Sequence, residues 1–250
     1  MLAFDIETTG LDGNKNDVTV VCTEDYHTGK RVAYEFDKIR KLEPHKLAQL
    51  RIDMVSAFNE ATSLCAFNGI RFDIPFLRKS LSLDHETTNA WILKTSDILE
   101  ACRLGQFGPK HTFGLNLLCE HNSIKMKTSS GKEAIVMAHH RRWDDLRMYC
   151  IEDVRILCDL YRRKTLKNPR GHGTIDLTRI AHPDVYMKPM DIVMTDTSHK
   201  GSNDDDADEV DQLIAESIEF DKEKRITELE KKVKELQYKL KVYTDFCTCI

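Results

Sequence analysis

Apolar positions along the first 165 or so residues change their spacing repeatedly, and each change marks an element. Residues 2–6, 18–22 and 31–36 are short runs rich in β-branched or aromatic side chains, the composition of strands, and His27-Thr28-Gly29-Lys30 supplies a turn between the last two. That predicts a three-stranded antiparallel start. After Pro44, the residues Leu47, Leu50, Met54, Val55 and Phe58 recur at helical spacing, residues 64–67 read as a brief apolar strand, and a helix is expected over about 74–81. A further short strand at 94–96 runs into a helix opened by Asp97-x-x-Glu100, the spacing of a capping box. Leu115, Leu117 and Leu118 mark another helix, and Trp143, Leu146, Tyr149, Cys150, Val154, Leu157 and Leu160 trace a long one ending near Arg163. The alternation predicts an α/β domain over residues 1–167.

Beyond it the pattern breaks down. Residues 168–211 hold three of the chain's six prolines and the run Asp204-Asp205-Asp206-Ala207-Asp208-Glu209, which repels itself and is expected to be an extended acidic linker, with one possible strand at 190–194. Residues 212–250 read as a helix with coiled-coil heptads over about 226–246, placing Ile226, Val233 and Leu240 at a and Leu229, Leu236 and Tyr243 at d. Such a helix suits a homodimer, or docking on a partner helix or on its own domain.

Charge changes the picture once it is partitioned. The 250 residues carry a formal −4, yet residues 1–170 hold 26 basic against 23 acidic side chains, residues 171–221 hold 3 against 13, and residues 222–250 hold 8 against 5. The negative surplus belongs to the linker, so it does not argue against a nucleic-acid partner for the first domain. No signal-peptide pattern opens the chain and no apolar run is long enough to cross a bilayer, so the expectation is an intracellular protein, cytoplasmic or nuclear, with no membrane partner. Its eight cysteines include no C-x-x-C pair, and reduced core thiols are expected.

Candidate chemistry rests on acidic residues. Asp5 and Glu7 sit two apart on the first strand, so both carboxylates project to one face beside a Thr-Thr-Gly turn. The same spacing at Asp84/Glu86 and Asp221/Glu223 shows that it also arises by chance. Asp73 opens a helix directly after the fourth strand and reads equally as an N-cap. Tyr149 and Asp153 share a helix face, an arrangement that a simple hydrogen bond also explains. Arg71, Arg78 and Lys79 lie near Asp73, and Arg141, Arg142 and Arg147 precede Asp153; both clusters read as phosphate contacts or as solvated helix faces.

Taken in order, Phe4-Asp5-Ile6-Glu7-Thr8, Asn68-x3-Phe72-Asp73 and Tyr149-x3-Asp153 resemble the three motifs of the DnaQ-like (DEDD) 3′→5′ exonucleases, in their tyrosine-bearing branch. The flanks Phe72-Asp73-Ile74-Pro75-Phe76-Leu77 and Tyr149-Cys150-Ile151-Glu152-Asp153 look most like the proofreading domains of family B DNA polymerases, and Met148 occupies the position at which a histidine would mark the other branch. The resemblance implies a ribonuclease H-like fold with a mixed five-stranded sheet flanked by helices. It implies that Asp5, Glu7, Asp73 and Asp153 hold two divalent ions, Mg2+ or Mn2+, with Asp5 bridging them, and that Tyr149 positions the attacking water. Thr8 and Leu11 match positions that touch the terminal nucleotide, Asn68 and Phe72 match positions facing the single strand, and Phe72 reads equally as core. The implied activity is hydrolysis from the 3′ end of single-stranded nucleic acid, with DNA ahead of RNA. With only three residues before Phe4 and no polymerase motif, a free-standing exonuclease or proofreading-type subunit is expected. The rival expectations are an RNA-trimming exoribonuclease of the same fold and a non-catalytic nucleic-acid-binding protein that oligomerises through its heptads.

Overall fold

A computed structural model of the chain describes residues 1–36, 44–104, 114–125, 131–169 and 173–177, all within the first of the two units into which the chain divides, Met1–Thr197. The acidic run, the strand expected at 190–194, the heptads, Cys247 and Cys249 lie outside the described residues.

Strand β1 (Leu2–Thr8) pairs antiparallel with β2 (Val18–Asp25), which pairs antiparallel with β3 (Arg31–Glu35). Helix α1 (Pro44–Glu60) then returns the chain so that β4 (Leu64–Ala66) lies parallel to β1. Helices α2 (Asp73–Leu81) and α3 (His85–Leu93) lead to β5 (Thr95–Asp97), parallel to β4. The result is a mixed five-stranded sheet in the order β3-β2-β1-β4-β5. Helices α4 (Ile98–Leu104), α5 (Leu115–His121), α6 (Gly131–His139) and α7 (Trp143–Arg162) follow, and a hairpin of β6 (Thr165–Lys167) and β7 (Thr174–Asp176) closes the described chain.

The alternation of β1 assigns the two faces. Phe4 and Ile6 enter a core with Met54 and Phe58 of α1, Leu77 of α2 and Trp91 of α3. Phe4, Phe58 and Trp91 stack in series, with ring centroids 5.0 and 4.7 Å apart, each ring fully buried. On the other face, Ala3 and Cys65 pack with Ile156, Leu157 and Leu160 of α7, while Val20 and Cys22 of β2 meet Tyr149, Cys150 and Val154 of the same helix. The Lys94 ammonium donates to the carbonyls of Phe58, Asn59 and Ala61 at 2.6, 3.0 and 2.9 Å, satisfying the last turn of α1.

Four elements were not expected from the pattern of the chain: α3, α6 and the two strands of the β6–β7 hairpin. Helix α3 is rich in polar and β-branched residues, and Asp84 starts it by accepting the Thr87 N–H at 2.6 Å. Helix α6 buries Ala134, Ile135, Met137 and Ala138, a face made partly of small residues that carries little periodic signal. Strand β7 falls within the stretch read as linker, because Ile175 and Leu177 join Leu166 against the α7 core. The six described cysteines are buried free thiols.

Candidate active site

Because side chains alternate along a strand, Asp5 and Glu7 emerge from β1 on the face opposite Phe4 and Ile6, the face covered by α7. Asp5 stands opposite Cys22 in the β1–β2 ladder, and a bulge between Glu7 and Thr8 interrupts the regular pairing beyond it. Both carboxylates lie inside the strand, and Glu7 is buried.

Asp73 is placed by a tight turn. After β4, Asn68 adopts φ 67°, a left-handed conformation that asparagine tolerates, and Gly69 packs where a Cβ would overlap the Ala66 methyl and come within 3.2 Å of Phe4 Cζ. Asp97 holds this turn from below: Oδ1 accepts the N–H groups of Asn68, Leu99 and Glu100 at 2.9, 3.0 and 3.2 Å, and Oδ2 accepts the Ile70 N–H at 3.0 Å. One buried carboxylate thus joins the turn after β4 to the first turn of α4. The spacing-based reading of Asp97 as a helix opener accounts for only half of those bonds. Asp73 is the first residue of α2, whose N-cap position is Phe72, so Asp73 is not its own helix's N-cap; Asp73 Oδ1 instead accepts the Ile6 N–H of β1 at 3.2 Å. Tyr149 and Asp153, one turn apart on α7, are both buried against the sheet.

These elements converge on one open cleft of about 330 Å³ lined by Asp5, Glu7, Asn68, Phe72, Asp73, Tyr149 and Asp153, together with Ile6, Phe67, Gly114, Leu115, Asn116 and Gly131. All five residues expected to carry chemistry meet there, with two of the four expected to touch substrate. The other two do not line it: the Thr8 hydroxyl is buried and donates to the Gly10 carbonyl at 2.7 Å, and Leu11 is exposed in the loop after β1. The walls contributed by Phe67, Leu115 and Asn116 were not anticipated, since nothing in their sequence setting distinguishes them from core or helix positions.

The family model of the RNase_H superfamily matches residues 2–165. The chain belongs to the RNase_H superfamily. Its five-stranded mixed sheet and flanking helices are the fold of this RNase_H superfamily domain, and fold and family together support a nuclease-like hydrolase in general terms. Among solved structures, the chain is similar to a family B DNA polymerase from the hyperthermophilic archaeon Pyrobaculum calidifontis, at 18% identity and a TM-score of 0.46, over 65% of this chain and 24% of the polymerase. The chain therefore spans about a quarter of that polymerase's length. No curated protein matches it.

The electrostatics of the RNase_H superfamily site are those of crowded acids. Burial, then the charge of Asp97 and more weakly that of Asp153, push the Asp73 carboxyl up to about 8, against the opposing pull of its own N–H and that of Ile6. In the metal-free protein the Tyr149 phenol is pushed far up, by burial first and then by Asp153, Glu7 and Asp5, so it keeps its proton. Acids held in this state suit a divalent cation, which supplies the missing positive charge. Among the described residues, the His, Cys, Asp and Glu ligand atoms that gather in a group of three, all within 4.8 Å of one another, belong to Asp5, Glu7 and Cys150. Asp73 and Asp153 line the same cleft but stand outside that group. Cys150 went unnoticed in the sequence because a cysteine among apolar helix neighbours reads as core. Its Sγ lies 3.5 Å from the Asp5 carbonyl oxygen and 3.8 Å from Asp5 Oδ2.

Several basic residues near the motifs are paired. Arg71 makes two bonds to Glu100, at 2.6 and 3.1 Å; Arg142 pairs with Asp145 at 2.8 Å and Arg147 with Asp144 at 3.3 Å, while Lys79 donates to the Gly13 carbonyl. The Arg142–Asp145 and Arg147–Asp144 pairs lie at the surface and stabilise little, about 0–1 kcal/mol each, whereas Glu100 is buried beneath Arg71.

Proposed function

We propose that this domain hydrolyses phosphodiester bonds from the 3′ end of single-stranded nucleic acid, DNA ahead of RNA, with two divalent cations, Mg2+ or Mn2+, held by Asp5, Glu7, Asp73 and Asp153. The observation that carries the reading is the convergence of four carboxylates from β1, α2 and α7, with Tyr149 among them, on one open cleft. Bound there, the cations lower the pKa of the attacking water and offset charge on the leaving oxygen. Tyr149 orients that water by hydrogen bonding, because a phenol with an ordinary pKa of about 10 is a poor base at neutral pH. Asp97 keeps Asp73 in place through the turn that precedes α2. Phe67, Phe72 and Leu115 offer apolar surface on which a base stacks without regard to sequence, a contact of about 1–3 kcal/mol per base, and Asn68 adds a polar group at the same wall. Outside the described residues, the heptads are assigned to a homodimer or a partner helix.

The test is degradation of a 5′-labelled single strand, supplied as matched DNA and RNA, by metal-stripped protein given Mg2+ or Mn2+. Wild type shortens the strand one nucleotide at a time and Asp5→Ala does not. Equal behaviour of the two proteins defeats the reading.

A further inference from the structure

We infer that Asp5, Glu7 and Cys150 form a mixed oxygen and sulfur site for a soft divalent cation, Zn2+ above all, whose capture silences the cleft. The binding claim stands on geometry alone; the silencing rests on the hydrolytic reading above.

Two strand carboxylates and a helix thiol supply three ligand atoms from two elements that the core locks together, since Cys150 and Val154 of α7 are fully buried against Cys22 of β2. Zn2+ takes thiolate at about 2.3 Å and carboxylate oxygen at about 2.0–2.2 Å in a tetrahedron, which sets neighbouring sulfur and oxygen ligands about 3.6 Å apart. Cys150 Sγ and Asp5 Oδ2 are 3.8 Å apart. Three protein ligands leave the fourth position of a tetrahedron to water; Asp5 and Glu7 line the cleft, and Cys150 is fully buried behind them.

The sulfur decides which ion gains. Mg2+ takes oxygen ligands and draws nothing from a thiol, whereas Zn2+, Co2+ and Cd2+ bind thiolate strongly. In the metal-free protein, the thiol is a buried proton carrier directed at Asp5. On capture, its S–H bond is replaced by a sulfur–metal bond and the proton passes to buffer; no electron is transferred, because Zn2+ has no redox chemistry here. A soft cation so held occupies Asp5 and Glu7, both needed by the hard ions in the hydrolytic reading.

The experiment uses the full chain carrying Cys247→Ser and Cys249→Ser, so that the remaining thiols are the six buried ones. Metal-stripped protein is titrated with Co2+, and the sulfur-to-metal charge-transfer band in the near ultraviolet is followed. The expected result is a band saturating at one equivalent, absent in Cys150→Ala, and a Zn2+ concentration for half-inhibition of Mg2+-supported hydrolysis that rises about tenfold or more in that variant. An equal band in both proteins, or no band in either, overturns the inference. Should Cys150→Ala fail to fold, zinc X-ray absorption on the protein with Cys150 intact decides it: one sulfur at about 2.3 Å supports the site, and a shell of oxygen and nitrogen alone overturns it. A protein that shows the band but cuts no strand with Mg2+ or Mn2+ retains the site and loses the hydrolytic reading; one that cuts but shows no band does the reverse.

Discussion

Asp97 is where the geometry makes its sharpest demand. Its two oxygens accept four backbone N–H groups, two in the turn that delivers Asp73 and two in the first turn of α4, and the residue is buried. Asp97→Ala removes the cap of α4, at a cost of about 1 kcal/mol, and strands the Asn68 and Ile70 N–H groups, at about 1 kcal/mol or more each, for a total of roughly 3–4 kcal/mol. Asp97→Asn keeps an oxygen at the Oδ1 position, where three of the four bonds converge, and loses only the Ile70 bond; it is also relieved of a buried charge, so its cost is about 1–2 kcal/mol. Urea unfolding of metal-free protein, followed by tryptophan fluorescence, measures both. Amide exchange at Asn68 and Ile70 provides a second readout, accelerated in Asp97→Ala more than in Asp97→Asn. Equal losses in the two variants, or a loss under about 1 kcal/mol for alanine, would show that the carboxylate does not hold the turn.

Other outcomes follow from the same site. The Asp73 carboxyl, raised to about 8 in the folded protein, keeps its proton in the native state between about pH 4 and pH 8 while the unfolded chain releases it. Metal-free protein therefore loses stability as pH rises through that window and levels off above it; thermal melts at several pH values check this, with Asp73→Asn expected to flatten the profile and added Mg2+ or Mn2+ to raise its alkaline end. Tyr149→Phe is expected to slow turnover more than it weakens metal binding, and comparable losses in single-turnover rate and in Mn2+ affinity would contradict a positioning role. Gly69→Ala forces a methyl into Ala66 and against Phe4, so a destabilisation of about 1–3 kcal/mol and a fall in activity larger than that of an exposed control such as Ile52→Ala are expected from melts and the strand assay. Phe4→Ala, which removes a fully buried ring at one end of the Phe4–Phe58–Trp91 series, is expected to cost about 3–5 kcal/mol in urea unfolding.

The legible parts of the fold were those with strong local signals. Strands β1 to β3 are short runs rich in β-branched or aromatic residues, helices α1 and α7 carry apolar residues near a period of 3.6, and their expected limits lie within a few residues of the observed ones. Helix α3 stayed hidden because its stability comes from a cap at Asp84 and from Trp91 buried against Phe58, not from periodicity. At the site, motif order brought out Asp5, Glu7, Asp73, Tyr149 and Asp153, which all reach the cleft, but not Asp97 or Cys150. Asp97 was read as a local cap because two of its bonds are local; the other two span 29 and 27 residues. Thr8 and Leu11 were drawn in by motif position, and the bulge after Glu7 and the loop that follows take them away from the cleft.

By itself the sequence determined the segments with strong local signals, such as β1 to β3, α1 and α7, and which acids stand two or four residues apart on one face, because composition and spacing are properties of the chain alone. Only the tertiary structure decided that acids from β1, α2 and α7 share one cleft, that Asp73 turns to the backbone of β1, that Asp97 supports it from β5, and that a thiol stands beside Asp5. Those are contacts between residues as far as 145 positions apart, and they exist only once parallel pairing of β1 with β4 and burial of α7 against the sheet have brought the segments together.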